Sequence, residues 1–419
     1  MSAETAGRAG RAEIDRIESE WEHLASLVSS SLPGWSRTGF SEEDRAARDW
    51  VLQRMRDAGL DARQDAAGNV IGYLEGEVPG APDIVIGSHS DTVPGGGRFD
   101  GIVGVLGAIE VARMLRRSGT RLRRGLRVVD FANEEGNPQG VKLVGSRAVA
   151  GSLDAAALAS RDAEGTTLAA LMAGAGHRPE ELASARWRAS DIAAYLELHI
   201  EQGPQLEAQK ADIGIVTSIC GITTFSLEVR GRRDHAGTMP MDVRQDAMCC
   251  AADAVLAVRR VGSSGTATVG TVGQLTTPSP LTNTISEAAT VTGEFRSPER
   301  AELETMQTAF ARELAELDGI HRTSSALAWG HLDAPTPMDQ HLSGLALAAS
   351  LELGQETVQL YSGATHDGVA IAELAPSAMI FIPSRDGRSH CPEEWSDFAD
   401  VATGIEVLLE TVLRVDAAP

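Results

Sequence analysis

The sequence has few cysteines, no long apolar run and no apolar leader. Its four cysteines form neither a Cys-x-x-Cys pair nor the spacing of a disulfide framework, which favours a reducing, cytoplasmic location. The most apolar stretch, residues 101–115, is interrupted by Glu110 and is shorter than the roughly 20 residues that span a bilayer. The first residues lack the apolar core of a signal peptide, so neither secretion nor membrane insertion is expected.

Positive charge is also scarce. Lys and Arg number 37 against 59 Asp and Glu, which gives a formal charge of −22. This balance argues against nucleic acid or an anionic membrane surface as a partner, because both would be repelled. An anionic small molecule would need local cations, either metal ions or a suitably placed arginine.

Apolar strand-like segments alternate with amphipathic helix-like segments through most of the chain. In residues 1–213 and 333–419 the order of strand, loop and helix predicts a doubly wound mixed sheet of the α/β class. Residues 214–332 instead follow the order βαββαβ, which is typical of a ferredoxin-like unit. We therefore expect one large α/β domain in two parts, with a smaller domain inserted between them.

Candidate metal ligands follow the apolar strands of the large domain. They are His89 and Asp100 in one loop, Glu134 and Glu135 in a second, His199 in a third and His390 in a fourth. Strand ends of a doubly wound sheet converge on one crevice, so these side chains are expected to meet there. Imidazoles and carboxylates bind divalent metals, and hydrolases often share one carboxylate between two ions about 3.5–4 Å apart. The pattern predicts a divalent-metal site.

Several motifs resemble those of one enzyme family. They are Gly-Ser-His-Ser-Asp-Thr-Val at 87–93, Asn-Glu-Glu-Gly at 133–136, Glu-Leu-His-Ile-Glu-Gln-Gly-Pro at 197–204, Asp-His-Ala-Gly-Thr-Met-Pro-Met at 234–241, Ser-Gly-Ala-Thr-His-Asp at 362–367 and Gly-Arg-Ser-His-Cys-Pro-Glu-Glu at 387–394. In this order they resemble the hydantoinase/carbamoylase branch of the M20-type dinuclear metallo-amidohydrolases. That branch includes N-carbamoyl-L-amino-acid hydrolases, allantoate amidohydrolases and β-ureidopropionases.

The resemblance implies two divalent metal ions per subunit, with zinc favoured and manganese, cobalt or nickel as alternatives. It implies that His89 and His199 bind one ion and that Glu135 and His390 bind the other. Asp100 would bridge the two ions. Because a water between two dications loses a proton readily, hydroxide would be available near neutral pH.

The resemblance also implies roles in proton transfer and orientation. Glu134 would be the general base, which takes a proton from the bridging water and passes it to the leaving nitrogen. Asp91 would accept a hydrogen bond from His89 and fix its tautomer. His235, in the inserted domain, would reach the active site of the partner subunit and stabilise the oxyanion.

Further residues match substrate-binding positions of the family. Asn283 and Arg296 would hold the substrate carboxylate, which an arginine can bind with two hydrogen bonds. Backbone groups of Gly363 and Ala364 would complete this pocket, and Gln202 would touch the substrate. The alternative for Arg296 is an ion pair with a nearby glutamate.

The expected function is hydrolysis of an N-carbamoyl-L-amino acid to the amino acid, ammonia and CO2, by a homodimer whose inserted domain mediates dimerisation and closes over the substrate. The alternatives are allantoate or another ureido acid, an N-acyl amino acid, an exopeptidase activity, or a non-catalytic metal-stabilised binding protein. Thr224 stands where allantoate-type members tend to carry a basic residue, which weakens the allantoate alternative.

Overall fold

The computed structural model describes residues 11–278 and 281–418. These residues form two compact units. The first contains the chain up to Thr217, Met338–Leu360 and the stretch from Thr365 onward, and the second contains Ser218–Pro337 and Tyr361–Ala364. Within the described ranges, no helix is both long and apolar enough to cross a membrane.

Helices and strands alternate along most of the chain. The helices are α1 (Ile14–Ser26), α2 (Glu42–Asp57), α3 (Ile102–Ser118), α4 (Val144–Ala150), α5 (Ala155–Ala159), α6 (Leu168–Gly174), α7 (Gln205–Gln209), α8 (Ala247–Gly262), α9 (Arg300–His321), α10 (Gln340–Glu352), α11 (Gly368–Ile371) and α12 (Phe398–Ala417). The strands are β1 (Asp61–Gln64), β2 (Val70–Leu74), β3 (Asp83–His89), β4 (Leu126–Phe131), β5 (Ile192–Ile200), β6 (Ile213–Ile219), β7 (Gly221–Arg230), β8 (Val269–Thr276), β9 (Ala288–Ser297), β10 (Ser324–Asp333), β11 (Thr336–Pro337), β12 (Thr357–Ser362) and β13 (Ser377–Ile382).

The first unit is built on a large mixed sheet with the strand order β1-β2-β4-β3-β5-β13-β6. The four neighbours β4, β3, β5 and β13 are parallel. Antiparallel pairs extend the sheet on both sides, through β2 at one side and β6 at the other. The carboxyl ends of the four parallel strands therefore lie at one edge, as the α/β pattern of the sequence predicts.

Both faces of this sheet are covered. Ile84 and Ile86 of β3 pack in the core that includes α3 and α12, whereas Val85 packs on the opposite face with Tyr195. All seven residues of β3 are buried, which explains why its sequence reads as a continuous apolar run. Burying each large aliphatic side chain contributes about 1.5–3 kcal/mol, so these strands are firmly anchored beneath the loops that follow them.

The second unit has its own sheet and its own core. Its elements follow the order β7, α8, β8, β9, α9 and β10, and its sheet has the strand order β10-β7-β9-β8 with antiparallel neighbours. Alternate residues of β7, including Phe225 and Leu227, pack against α8 and α9. The two helices therefore cover one face of this sheet.

Candidate metal centre

Six predicted ligand and base residues lie at the carboxyl edge of the parallel strands. His89 is the last residue of β3, and His199 is the penultimate residue of β5. Glu134 and Glu135 follow β4, and His390 follows β13. Asp100 lies just before α3, where it turns back toward His89. The structure thus brings the predicted ligand groups together in one place.

Asp100 lies between two sets of ligand atoms. Its Oδ1 is 3.1 Å from Nε2 of His199 and 3.7 Å from Nε2 of His89. Its Oδ2 is 3.1 Å from Nε2 of His390, which in turn lies 3.2 Å from Oε1 of Glu135. Within each set the ligand atoms all lie within 4.8 Å of one another. One carboxylate thus offers a different oxygen to each set, as a bridging ligand does.

Backbone contacts orient two of the imidazoles. Nδ1 of His89 lies 3.1 Å from the carbonyl oxygen of Asp91, and Nδ1 of His199 lies 2.9 Å from that of Ile200. Because a carbonyl only accepts, each Nδ1 must donate, and Nε2 of the neutral ring keeps its lone pair. Both Nε2 atoms lie on the side of Asp100, and in the absence of ions Nε2 of His199 accepts from the backbone N–H of Gly101 at 3.1 Å.

The acidic groups draw positive charge into the cluster. Burial lowers the pKa of His199, but Asp100, Glu197 and the Ile200 carbonyl together raise it to about 9. Asp100, followed by Glu135, raises the pKa of His390 to about 10. In the absence of ions, protons on these imidazoles neutralise part of the carboxylate charge. Divalent ions would displace those protons, so ion uptake is linked to proton release.

Two glutamate oxygens give a direct test of whether divalent ions fit the cluster. Oε1 of Glu134 and Oε1 of Glu135 are buried and have no hydrogen-bond donor among the described residues. Nε2 of His390 lies 3.2 Å from the second of these oxygens as an ion-pair contact, so within the described ranges Oε1 of Glu134 is the oxygen left without any partner of either kind. Buried acceptors without donors are costly, and a bound cation would satisfy them. The residues present therefore fit a pair of divalent ions.

Glu134 has the environment of a proton acceptor. Its side chain is buried, and its Oε2 lies 3.9 Å from Nε2 of His89. Burial, and after it the charge of Glu135, raises the pKa of the Glu134 carboxyl well above its ordinary value. Two dications would lower the pKa of Glu134, in opposition to burial and the charge of Glu135. The balance of these effects sets how readily this carboxylate takes up a proton.

Asp91 contacts His89 differently from the prediction. The imidazole donates to the backbone carbonyl of Asp91, whereas the Asp91 carboxylate is 3.8 Å from Nδ1. That carboxylate instead accepts from the backbone N–H groups of Glu134 (3.1 Å) and Glu135 (3.2 Å). Asp91 therefore orients His89 through its main chain and the two glutamates through its side chain.

Gln202, predicted to touch the substrate, lies against Asp100. Its Nε2 donates to Oδ2 of Asp100 at 2.7 Å and to Oγ of Ser389 at 3.1 Å. Gln202 and His390 both have left-handed backbone conformations, with φ of 59° and 54°. Such conformations cost about 1–3 kcal/mol in non-glycine residues and concentrate at functional sites.

A third cluster, whose members are all buried, was not predicted from the sequence. Ligand atoms of Glu197, His199 and His366 also lie within 4.8 Å of one another. Glu197 already accepts from Ser88 Oγ at 2.7 Å and from the backbone N–H of Gly368 at 3.2 Å. The cluster shares His199 with the first set, and the ring of His366 packs edge-on against that imidazole with the ring centroids 4.4 Å apart. The sequence signal for His366 was its place in the Thr-His-Asp motif at 365–367, to which the sequence analysis gave no role.

His235 lies in the second unit, in the loop after β7. The backbone N–H groups of Gly237 and Thr238 donate to its Nδ1 at 3.0 and 3.2 Å. Nε2 therefore carries the proton in the neutral ring and is available as a donor. The N–H of Ala236 donates to the carbonyl of Asn283 at 3.0 Å, so His235 and Asn283 lie on neighbouring segments.

Arg296 is engaged by two partners within the second unit. Its Nε donates to Oε1 of Glu294 at 2.7 Å, which is the ion pair expected as the alternative. Its guanidinium also donates to the carbonyl of Gly363 at 2.9 Å, and the N–H of Ala364 donates to Ser362 Oγ at 3.1 Å. The structure thus brings Arg296 together with the predicted backbone groups.

Comparison with known proteins gives consistent matches over nearly the whole chain. The family described as Peptidase family M20/M25/M40 matches residues 85–414. An N-carbamoyl-L-amino-acid amidohydrolase from Paenarthrobacter aurescens is 38% identical over 415 residues, covering 97% of this chain and 99% of that protein. A ureidoglycolate hydrolase from Oryza sativa subsp. japonica is 34% identical, covering 96% of this chain and 84% of that protein.

The fold has a close counterpart among solved structures. A hydantoinase/carbamoylase family amidase from Burkholderia multivorans superposes with a TM-score of 0.87 at 31% sequence identity. The match covers 98% of this chain and 99% of that chain. Sequence and fold thus agree on the same group of relatives.

Proposed function

Because the chain belongs to peptidase family M20/M25/M40, whose hydrolases bind divalent metals, we propose that it is a metal-dependent amidohydrolase of N-carbamoyl-L-amino acids. The observation that supports this most is Asp100, whose two oxygens face separate ligand sets at 3.1 Å each. The relative from Paenarthrobacter aurescens supports the substrate class. The products would be the L-amino acid, ammonia and CO2.

In this proposal Asp100 would offer one oxygen to each of two divalent ions. His89 and His199 would hold one ion, and Glu135 and His390 would hold the other. When bound, such ions lower the pKa of a water molecule and polarise the carbonyl that is attacked. Mixed imidazole and carboxylate ligands suit zinc, which we favour, but also manganese, cobalt and nickel.

Glu134 serves as the general base in this proposal. Its carboxylate takes a proton from the attacking water and delivers it to the nitrogen that leaves when the carbamoyl C–N bond breaks. Oε1 of Glu134 has no hydrogen-bond donor among the described residues, which leaves it able to accept that proton. The Asp91 carboxylate accepts from the backbone N–H of Glu134, which anchors the main chain from which this side chain extends.

We propose that the second unit supplies substrate-binding groups. His235 donates through Nε2–H to the developing oxyanion in the site of the partner subunit, and the two backbone N–H groups on its Nδ1 support this tautomer. Arg296 and Asn283 bind the substrate carboxylate, with Gly363 and Ala364 beside them. Gln202 reaches the substrate from its position next to Asp100.

The finer organisation is part of the same proposal. Residues 1–213 and 333–419 form the catalytic domain, and residues 214–332 form a ferredoxin-like domain that mediates homodimerisation and closes over the substrate. The βαββαβ element order and antiparallel sheet of the second unit support the ferredoxin-like assignment. Cysteine usage supports a cytoplasmic location.

A second candidate is a ureido acid that is not an amino-acid derivative. The ureidoglycolate hydrolase from Oryza sativa subsp. japonica favours it, at 34% identity over 411 residues. The two substrate classes share a ureido group and a carboxylate. They differ in the substituent on the carbon between them, so the same centre could serve either.

A substrate panel tests the proposal. The purified protein, loaded in turn with zinc, manganese, cobalt or nickel, is assayed for ammonia release from N-carbamoyl-L-amino acids, their D-enantiomers, ureidoglycolate and allantoate. Amine release from N-acyl amino acids and dipeptides is measured in parallel. We expect ammonia from N-carbamoyl-L-amino acids. Ammonia from ureidoglycolate alone would favour the second candidate, and amine release without ammonia from any ureido acid would contradict both.

A further inference from the structure

We infer that Glu394 is a positioning residue that joins the loop of Asp100 to the loop of His390 and so sets the affinity of the second ion, which Glu135 and His390 would hold. The inference rests on the proposed metal centre. Pro392, Glu393 and Glu394 end the motif at 387–394 that resembles the family, but neither glutamate has a role in the proposed mechanism. Their surroundings differ completely.

Glu394 is buried, with 1% of its surface exposed, and both of its carboxylate oxygens are engaged. Oε1 accepts from the backbone N–H of Phe99 at 2.7 Å and from that of Asp100 at 3.1 Å. Oε2 accepts from Oγ of Ser389 at 2.7 Å. The Glu394 carboxylate therefore connects the backbone of Asp100 to the side chain of Ser389, the residue before His390.

The neighbouring chain is shaped to admit this carboxylate. A Cβ placed on Gly97 would lie 2.1 Å from the Glu394 carboxyl group, so any larger residue there would displace it. Ser389 is held from its other side by Nε2 of Gln202 at 3.1 Å. Gln202 also donates to Asp100, which closes a ring of contacts around the second ligand set.

This ring matters most for His390. Its side chain is 46% exposed, whereas those of His89 and His199 are 2% and 0% exposed. Packing therefore fixes the two buried imidazoles but holds His390 only weakly. The Glu394–Ser389 hydrogen bond anchors the residue before His390, whose backbone is in the left-handed region. Glu394 therefore positions His390 relative to Asp100.

Binding of Zn²⁺ to metal-free protein tests the assignment without any substrate. Competition with a chromophoric chelator gives the dissociation constants of both binding steps, and His390→Ala identifies the step that belongs to the second ion. Glu394→Ala should weaken that step about 10–100-fold and leave the other within about threefold, because partners of metal ligands have effects of this size. Glu394→Gln should restore most of the affinity, since its amide oxygen still accepts from both N–H groups.

Glu393 provides the matched control. It adjoins Glu394 and has the same charge, but its side chain is 60% exposed and pairs with Arg388 at 2.9 Å. Glu393→Ala should leave both binding steps unchanged. If Glu394→Ala binds both ions like the wild type, or weakens both steps equally, the inference is wrong.

A further variant decides the matter if Glu394→Ala does not fold. Ser389→Ala removes the hydroxyl that donates to Glu394 and accepts from Gln202, and it should weaken the second step about tenfold. Unchanged affinity would overturn the inference. These results are separable from the proposed function, because protein that binds two ions normally but hydrolyses no ureido acid would contradict the function and leave the role of Glu394 standing.

Discussion

At the scale of single residues, Glu134 and Glu135 differ in what surrounds them. Both have a buried Oε1 without a hydrogen-bond donor among the described residues, and Asp91 holds the backbone N–H of both. Glu135 lies 3.2 Å from His390, whereas the nearest imidazole to Glu134 is that of His89 at 3.9 Å. Glu135 also completes a ligand set with Asp100 and His390, whereas Glu134 belongs to none of the three-residue sets among the described residues.

This difference predicts opposite behaviour of two isosteric variants. Glu134→Gln should keep its full metal content and lose about 10²–10⁴-fold in kcat, because the proton acceptor is removed and the ligands are not. Glu135→Gln should lose one ion per subunit. Metal analysis and initial rates on the same samples check both variants. A Glu134→Gln protein that loses an ion but keeps its activity per bound ion would mean that the two glutamates are assigned backwards.

The sequence was informative about ligands and uninformative about their supports. His89, Asp100, His199 and His390 were found because each follows an apolar strand, and the parallel strand ends must meet. Glu394 could not be found this way, because its hydrogen bonds reach Phe99 and Asp100 across 295 and 294 residues of chain. No local pattern records contacts between loops so far apart in sequence.

At the scale of elements, strand β4 and helix α2 meet through one buried arginine. The guanidinium of Arg48 in α2 donates to the carbonyls of Asp130 and Phe131 at the end of β4, at 3.3 and 3.0 Å. It also pairs with the carboxylates of Asp44 and Asp130, at 3.0 and 3.3 Å, and lies 3.6 Å from that of Asp91. Arg48 thus fixes the strand end from which the glutamate loop departs.

Replacing Arg48 should destabilise the fold strongly. Arg48→Met removes the partner of buried carboxylates, and breaking a buried ion pair costs about 3–5 kcal/mol. Urea unfolding measures the loss of unfolding free energy. Arg45→Met in the same helix, where the side chain is exposed, is the control and should change stability by less than about 0.5 kcal/mol. Equal effects of the two variants would contradict the role of Arg48.

Element types were easier to predict than element contacts. Strand β3 was recognisable because both of its faces are covered, which leaves an uninterrupted apolar run. The contact of Asp91 was predicted less well. The pattern identified a carboxylate two residues beyond His89 but could not show that its backbone carbonyl, rather than its side chain, would accept the imidazole proton.

At the scale of the whole molecule, the net charge and the proposed dimer bear on how the substrate is bound. A chain with a net charge of −22 brings the carboxylates of Asp100, Glu134 and Glu135 to one group of histidines, and bound cations would stabilise that arrangement. The same negative charge would repel an anionic substrate, which is why the proposed binding of the substrate carboxylate relies on Arg296. The proposed dimer brings in His235 of a second subunit.

Mixing two inactive variants tests this sharing of residues. Glu134→Gln and His235→Ala homodimers should each be nearly inactive. After subunit exchange, half of the dimers would be mixed, and each would contain one complete site, so activity should return to about a quarter of the wild-type value. If no activity returns although mixed dimers are shown to form, His235 acts within its own subunit, whereas a His235→Ala homodimer that stays active would mean that His235 has no role.

The most direct test of the central claim is a titration of metal-free protein with Zn²⁺, during which ammonia release from an N-carbamoyl-L-amino acid is followed. The arrangement of both ligand sets around Asp100 predicts no release without metal and a rise that levels off at about two ions per subunit. Ammonia release that survives chelation, or that never appears at two bound ions, would contradict the claim.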